Sequence, residues 1–182
     1  EQISYDEYEK LLAAYHQVTD EDVKRKLEDK LRVEAAKGRI SRKQAMDNAI
    51  DRERLIMVDS QLSIMTDHLT NAYTGTLETM GFTGVPQRMI DEILQQPWSG
   101  ENYSKRIWHN QEVLADRLKC ELMDSLISGK SNREISNKLV DMTDLGRFAA
   151  NRLIRTETSF VVNSADIASS KERGIRAKRF DA

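Results

Sequence analysis

From Ser41 to Thr74 the chain contains neither a glycine nor a proline. Those two residues are the usual helix breakers, so nothing in this stretch interrupts a helix once it has begun. Ser41-Arg42-Lys43-Gln44 has the pattern of a capping box, in which the serine and glutamine satisfy backbone amides at a helix start. Leu55, Val58, Leu62, Met65, Leu69 and Ala72 then recur at alternating intervals of three and four, as in a coiled-coil seam. These features predict one helix of about 35 to 39 residues, roughly 55 Å long at 1.5 Å per residue. A single helix cannot bury such a stripe by itself. It needs a partner, either another helix of this chain or the same helix of a second copy.

The rest of the sequence follows the same rule. Two prolines and eight glycines among 182 residues leave little material for turns, and apolar spacing is nearly everywhere three or four rather than two. A short helix is predicted over 5–17. Thr19-Asp20-Glu21-Asp22, a capping box with Asp in the last place, opens a charged helix to Lys37, with Gly38 as its stop. Pro86 suits the first turn of a short helix ending before Pro97, and "PWSGENYS" reads as a loop.

Beyond that loop Trp108, Gln111, Leu114, Leu118, Leu122 and Leu126 mark a long amphipathic helix ending at Gly129. Ser131-Asn132-Arg133-Glu134 caps a short helix, "DMTD" separates it from the next, and a final helix runs from about Leu145 to Arg173 with Gly174 as its stop. The tail "IRAKRFDA" alternates apolar and basic residues in the manner of a strand start. The predicted fold class is all-α: long amphipathic helices in an elongated bundle, a coiled-coil-like region over 1–81 and a second helical domain over 82–182.

Composition excludes several functional classes. Net charge is −2, so the chain as a whole is neither a polybasic nucleic-acid binder nor an acidic tail. The charge is unevenly placed, with 17 Lys and Arg against 23 Asp and Glu over 1–129, but 11 against 7 over 130–182. An anionic partner should therefore meet the C-terminal third. The lone cysteine, Cys120, rules out an internal disulfide framework and fits a reducing compartment. With no long apolar run and no signal peptide pattern, the expectation is a soluble protein made in the cytoplasm.

The final predicted helix contains a chemical conflict. At 100° per residue Leu153, Ile154, Glu157, Phe160, Val161, Ser164 and Ala168 share one face, and Glu157 lies near its middle. Arg155 points to the opposite side with Arg152, Ser159 and Asp166, so the two charges of Arg155-Thr156-Glu157 cannot bond each other within the helix. A carboxylate on a packed face must be paired or must shift its pKa upward. Arg117, Arg106 and Arg133 are the candidate donors. A lone carboxylate without a second acid, base or metal ligand reads as a packing anchor rather than a catalytic acid.

Other constellations are weaker. His16, His68 and His109 lack metal-ligand spacing, so neither a metal nor any other cofactor is expected. Cys120 reads as a small core residue, and the glycines of "TGTLETMGFTG" lack the GK[ST] of a phosphate loop. Trp98, Tyr103 and Trp108 read as packing contacts around the loop before the second long helix. Lys171, Arg173, Arg176, Lys178 and Arg179 put five cations within nine residues, the best local candidate for touching DNA or an acidic protein surface.

The order of these elements resembles the minor head proteins of tailed bacteriophages, the Mu F-like head morphogenesis group. The resemblance spans about residues 98 to 180 and rests on the tryptophan-marked segment "WSGENYSKRIW", the long helix ending in Gly129, and a signature carried here by Ala150, Leu153, Ile154, Arg155, Thr156, Glu157, Thr158, Asn163, Ala165, Gly174 and Ile175. It implies a low-copy minor capsid protein of the virion, inside the capsid near the portal. Such a protein passes through the host cytoplasm during assembly, contacts the portal protein or the major capsid protein, and is connected with packaging and ejection of double-stranded DNA. Members of that family commonly continue past the basic-aromatic segment into a mixed α/β portion, and that C-terminal part of the family domain is missing from these residues. The resemblance assigns no reaction to the helical part.

Two readings from other classes stand beside this one. The helices can be the stalk of a toxin or ADP-ribosyltransferase-type protein whose catalytic domain lies elsewhere, or a cytoplasmic coiled-coil adaptor. The leading expectation is a structural, non-enzymatic virion protein that does not enter a membrane.

Overall fold

A computed structural model describes residues 2–36 and 42–174. Among them are six α-helices and no strand: α1 (Gln2–Gln17), α2 (Glu21–Ala36), α3 (Arg42–Thr79), α4 (Gln87–Gln95), α5 (Tyr103–Ile127) and α6 (Asn132–Glu172). The fold is all-α. The strand start expected in the tail, the stop at Gly38 and the serine of the capping box at 41–44 lie outside the described residues. No described helix is long and apolar enough to cross a membrane.

The breaker-free stretch forms one helix of 38 residues, which continues through Gly75 and ends ahead of Gly81. Its seam is buried within the chain: Leu55, Val58, Leu62, Met65 and Leu69 are almost wholly shielded from solvent, and Tyr73 and Leu77 extend the row. The partner that this seam requires is thus supplied by the chain's own helices.

Two compact units can be distinguished. One combines residues 1–63 with 107–148; the other combines 64–106 with 149–182. Neither follows the division of the chain at residue 81. In the first unit Leu11 and Ala14 of α1, Val23 and Leu27 of α2, Leu55, Val58 and Leu62 of α3, and Ile107 and Ala115 of α5 form the core. Truncating a fully buried leucine such as Leu27 to alanine should cost about 2–5 kcal/mol. In the second, Met65, Leu69, Tyr73 and Leu77 of α3 are buried along with Ile90 and Leu94 of α4 and Val161 and Ala165 of α6.

The start of α2 differs by one residue from the predicted box. Asp20, not Thr19, is the cap, its carboxylate accepting from the amides of Asp22 and Val23 at 3.0 Å each. The amides of Thr19 and Asp20 instead donate to Asp59 of α3, at 3.0 and 2.6 Å. A carboxylate from another helix thus shares the capping, which local sequence could not reveal. The box at Ser131 forms as predicted: Glu134 Oε2 accepts from the Ser131 amide at 2.9 Å and from its hydroxyl at 2.7 Å. Those two bonds hold the Glu134 carboxyl below its usual range.

The largest departure from expectation is in α6. The predicted interruption at "DMTD" is absent, and a single 41-residue helix runs from Asn132 through Gly146 to Glu172. Asp and Thr are poor helix formers but do not remove a backbone donor as proline does, and Gly146 lies inside the helix without positive φ. The glycines with positive φ at Gly129 and Gly174 do mark helix ends, as expected.

Candidate functional site around Glu157

The second unit places the Arg-Thr-Glu segment on α6. Glu157, Val161, Ala165 and Ser169 are buried at four-residue spacing. Ile154, predicted for the same face, is 39% exposed. The buried row is an i±4 ridge, which drifts around the helix and so shields Ala165 and Ser169 at the expense of Ile154. Leu153, Phe160, Ser164 and Ala168 are half-buried at its margin.

Glu157 is only 2% exposed, and both its oxygens are engaged. Arg106, on the first turn of α5, donates through Nη1 to Oε1 at 2.7 Å. Trp98, from the loop before α5, donates its indole N–H to Oε2 at 3.0 Å. Of the three predicted donors, Arg106 is the one used. Its other terminal nitrogen donates to the carbonyls of Ser99 and Glu101, at 3.2 and 2.9 Å. The guanidinium therefore fastens the loop to α6, and the buried charge is neutralised and hydrogen-bonded rather than isolated.

Aromatic packing completes the cluster. The Trp98 ring stacks on Phe160, centroids 4.8 Å apart and planes within 8°. Arg106 lies over the same indole at 5.1 Å. Trp98 is thus both the packing residue expected and a hydrogen-bond donor that sequence reasoning missed. A loop tryptophan and a carboxylate 59 positions apart leave no local signal of their pairing.

Two neighbouring bonds tie α3 into this unit. The Tyr103 and Thr66 hydroxyls are 2.6 Å apart. His68 Nε2 lies 2.9 Å from the Thr158 hydroxyl, whose proton goes to the Ile154 carbonyl at 2.7 Å. Thr158 can then only accept from His68, so the geometry assigns the proton to Nε2.

The remaining motif residues face outward. Arg155 and Thr156 are exposed, and the Thr156 hydroxyl donates to the Arg152 carbonyl at 2.8 Å. Lys171 and Arg173 are exposed, although the Arg173 guanidinium lies 5.9 Å from the centre of the Phe82 ring, against the turn after α3. Arg176, Lys178 and Arg179 lie outside the described residues.

Chemically, this carboxylate is a fixed acceptor. Both of its oxygens are occupied by donors from the protein, and the groups that contact it are an arginine and an indole, neither of which is a general base or a nucleophile. Among the described residues no group of three or more His, Cys, Asp or Glu side chains is placed to hold a metal ion. Cys120, expected in the core from its neighbours Leu118 and Leu122, is instead exposed on α5.

The first unit has a second ionic cluster, not anticipated from the sequence. Asp51 of α3 accepts from Lys30 of α2 at 2.9 Å and from Lys119 of α5 at 2.6 Å, with Arg54 3.7 Å away. Burial pushes the Asp51 carboxyl upward, but the bonds and charges of Lys119 and Lys30 outweigh it and hold the group below its usual range. Nearby, the Lys26 ammonium sits 3.9 Å over the Trp108 ring, with Arg54 at 6.0 Å.

No family model matches this chain, and no curated protein or solved structure matches it either.

Proposed function

We propose that the chain is a structural minor head protein of a tailed bacteriophage, of the Mu F-like morphogenesis group. It acts by binding rather than by catalysis, inside the capsid near the portal, and contributes to head assembly and to packaging or ejection of DNA. The observation that carries the non-catalytic part of this reading is the engagement of both Glu157 oxygens by Arg106 and Trp98. In the signature on which the family resemblance rests, the only buried charged residue is thereby a joint between α6, the loop before α5 and the first turn of α5. The chemistry of such a joint is packing, and recognition is left to the surfaces around it.

In this reading the partners are the portal or major capsid protein, and the exposed Lys171 and Arg173, with Arg176, Lys178 and Arg179 beyond them, face packaged DNA or an acidic portal surface. The decisive experiment compares heads assembled with and without the protein, by quantitative mass spectrometry of purified particles. Low-copy incorporation in complete heads supports the assignment, and absence from them overturns it. Substituting Arg176, Lys178 and Arg179 together with Gln should weaken DNA retention and flatten its salt dependence. Retention that is unchanged across salt concentrations removes DNA from the list of partners.

A further inference from the structure

From Asn132 to Thr156, none of the residues of α6 whose burial is described is buried; the first is Glu157. On the facing end of α5, from Asp116 to Ile127, Ser125 alone is described as buried. Val140 and Phe148 of α6 are 60% and 67% exposed, while Leu118 and Leu122 of α5 are only half-buried. Among the described residues the ionic tie between the two helices is half-exposed. Lys138 bonds both carboxylate oxygens of Glu121, at 2.6 Å to Oε2, but this pair is 43% and 32% exposed. Exposed ion pairs contribute little to stability. Gly146 of α6 lies against Leu114 of α5, where an added Cβ would meet Leu114 Cδ2 at 3.4 Å.

The sequence between Asp141 and Gly146 has weak helix propensity, and it offers a restart. Asp, Thr and Gly are poor interior residues, and Thr143-Asp144 is a pair of residue types that cap helices well. Arg147 pairs with Asp144 at 3.0 Å within the C-terminal side of this stretch, so the pair need not break if the helix parts before it. The capping box of Ser131 and Glu134 lies entirely at the other end and travels with that segment.

We propose that Asn132–Met142 is a hinged arm. It leaves α5 as a unit by breaking α6 within 141–146, while the remainder of α6 stays anchored by the buried row that begins at Glu157. Opening uncovers the half-buried Leu118 and Leu122 and frees the arm's own apolar residues, including Val140, at the same moment. The device requires no particular partner and does not depend on the functional reading above.

Hydrogen exchange on the full chain tests it, with and without Gly146→Ala. In the wild type, amides of 135–144 should exchange at least about tenfold faster than those of 161–169, because local opening needs far less free energy than global unfolding. The added methyl meets the flexible end of the Leu114 side chain at 3.4 Å, where a small shift of that side chain accommodates it, and favours the continuous helix, so Gly146→Ala should slow exchange of the arm several-fold and leave 161–169 unchanged. Equal protection of the two stretches in the wild type overturns the arm. Arm exchange that is unaffected or faster in Gly146→Ala, or slowing of both stretches together, overturns the hinge at this place.

Discussion

Glu157 and Asp51 are both acidic residues on long helices, and each is met by cations from other elements, but they occupy different environments. Glu157 is almost wholly buried and has two donors of different kinds, an arginine and an indole, each bonded to its own oxygen. Asp51 keeps some contact with water and is met by Lys30, Lys119 and Arg54, three cations about a single charge. Removing a carboxylate from a dry, geometrically fixed site strands its partners, whereas lysines at a half-wet site can turn to solvent. The difference teaches that ion-pair number is a poor guide to importance; desolvation of the carboxylate decides.

The largest effect should come from Glu157→Ala. It leaves Arg106 without its counter-charge in a partly buried position and the Trp98 indole without an acceptor, for an expected loss of about 3–5 kcal/mol in denaturant unfolding. A loss no greater than that of an exposed pair would break the contrast with Asp51. Trp98→Phe separates packing from hydrogen bonding, since the ring can still stack on Phe160 while the donor to Oε2 is gone. The expected cost is about 1.5–3 kcal/mol, the value of a bond to a charged acceptor. If Trp98→Phe is neutral in the same unfolding assay, the site is held by Arg106 and ring stacking alone.

Much of this architecture was legible because helices leave a local record. The absence of breakers between Ser41 and Thr74 and the apolar intervals of α3 fixed a helix whose seam had to be covered, and the inward position of Glu157 followed from angle alone. That a donor was required also followed, since an unpaired carboxylate could not remain on that face. Which donor it would be did not. Arg106, Arg117 and Arg133 carry the same charge, and choosing among them requires the tertiary arrangement. The same limit concealed Trp98 as a donor, Asp59 as a cap for α2 and the cluster at Asp51. At "DMTD" the failure was of another kind: residues with low helix propensity were read as a break, but propensity is a weak prior and the helix runs through them. The stretch remains the weakest part of α6 on those same grounds.

An intermediate effect is expected at Asp51. Asp51→Asn should cost about 1–2 kcal/mol, less than a fully buried pair, because Lys30 and Lys119 recover hydration. Its pH dependence has a definite sign. The folded carboxyl is held below the ordinary aspartate value near 3.9, so its contribution is complete above that pH and is lost as the pH falls through the lower folded value. Wild-type stability should therefore decline on acidification below about pH 4, and Asp51→Asn should show less of that decline. Denaturant unfolding across pH 2–6 checks this, and parallel curves for the two proteins would remove Asp51 as a source of acid sensitivity.

The smallest effect belongs to Glu121 and Lys138, although Lys138 bonds both oxygens of the Glu121 carboxylate. The bond from Lys138 lowers the Glu121 carboxyl below its usual range, yet both groups keep about a third or more of their surface in water, which replaces the lost partner, and salt screens the pair. Lys138→Ala should leave the global unfolding midpoint unchanged within error. Hydrogen exchange should still respond, with faster exchange confined to 135–144, because a tie that is negligible against global stability is a large fraction of the little that holds this segment to α5. A shift of the global midpoint would place the pair alongside Asp51 and make desolvation the wrong ranking principle. An unchanged midpoint with local acceleration would extend the comparison to its exposed limit: the same ionic chemistry anchors α6 at Glu157 and only tethers it at Lys138.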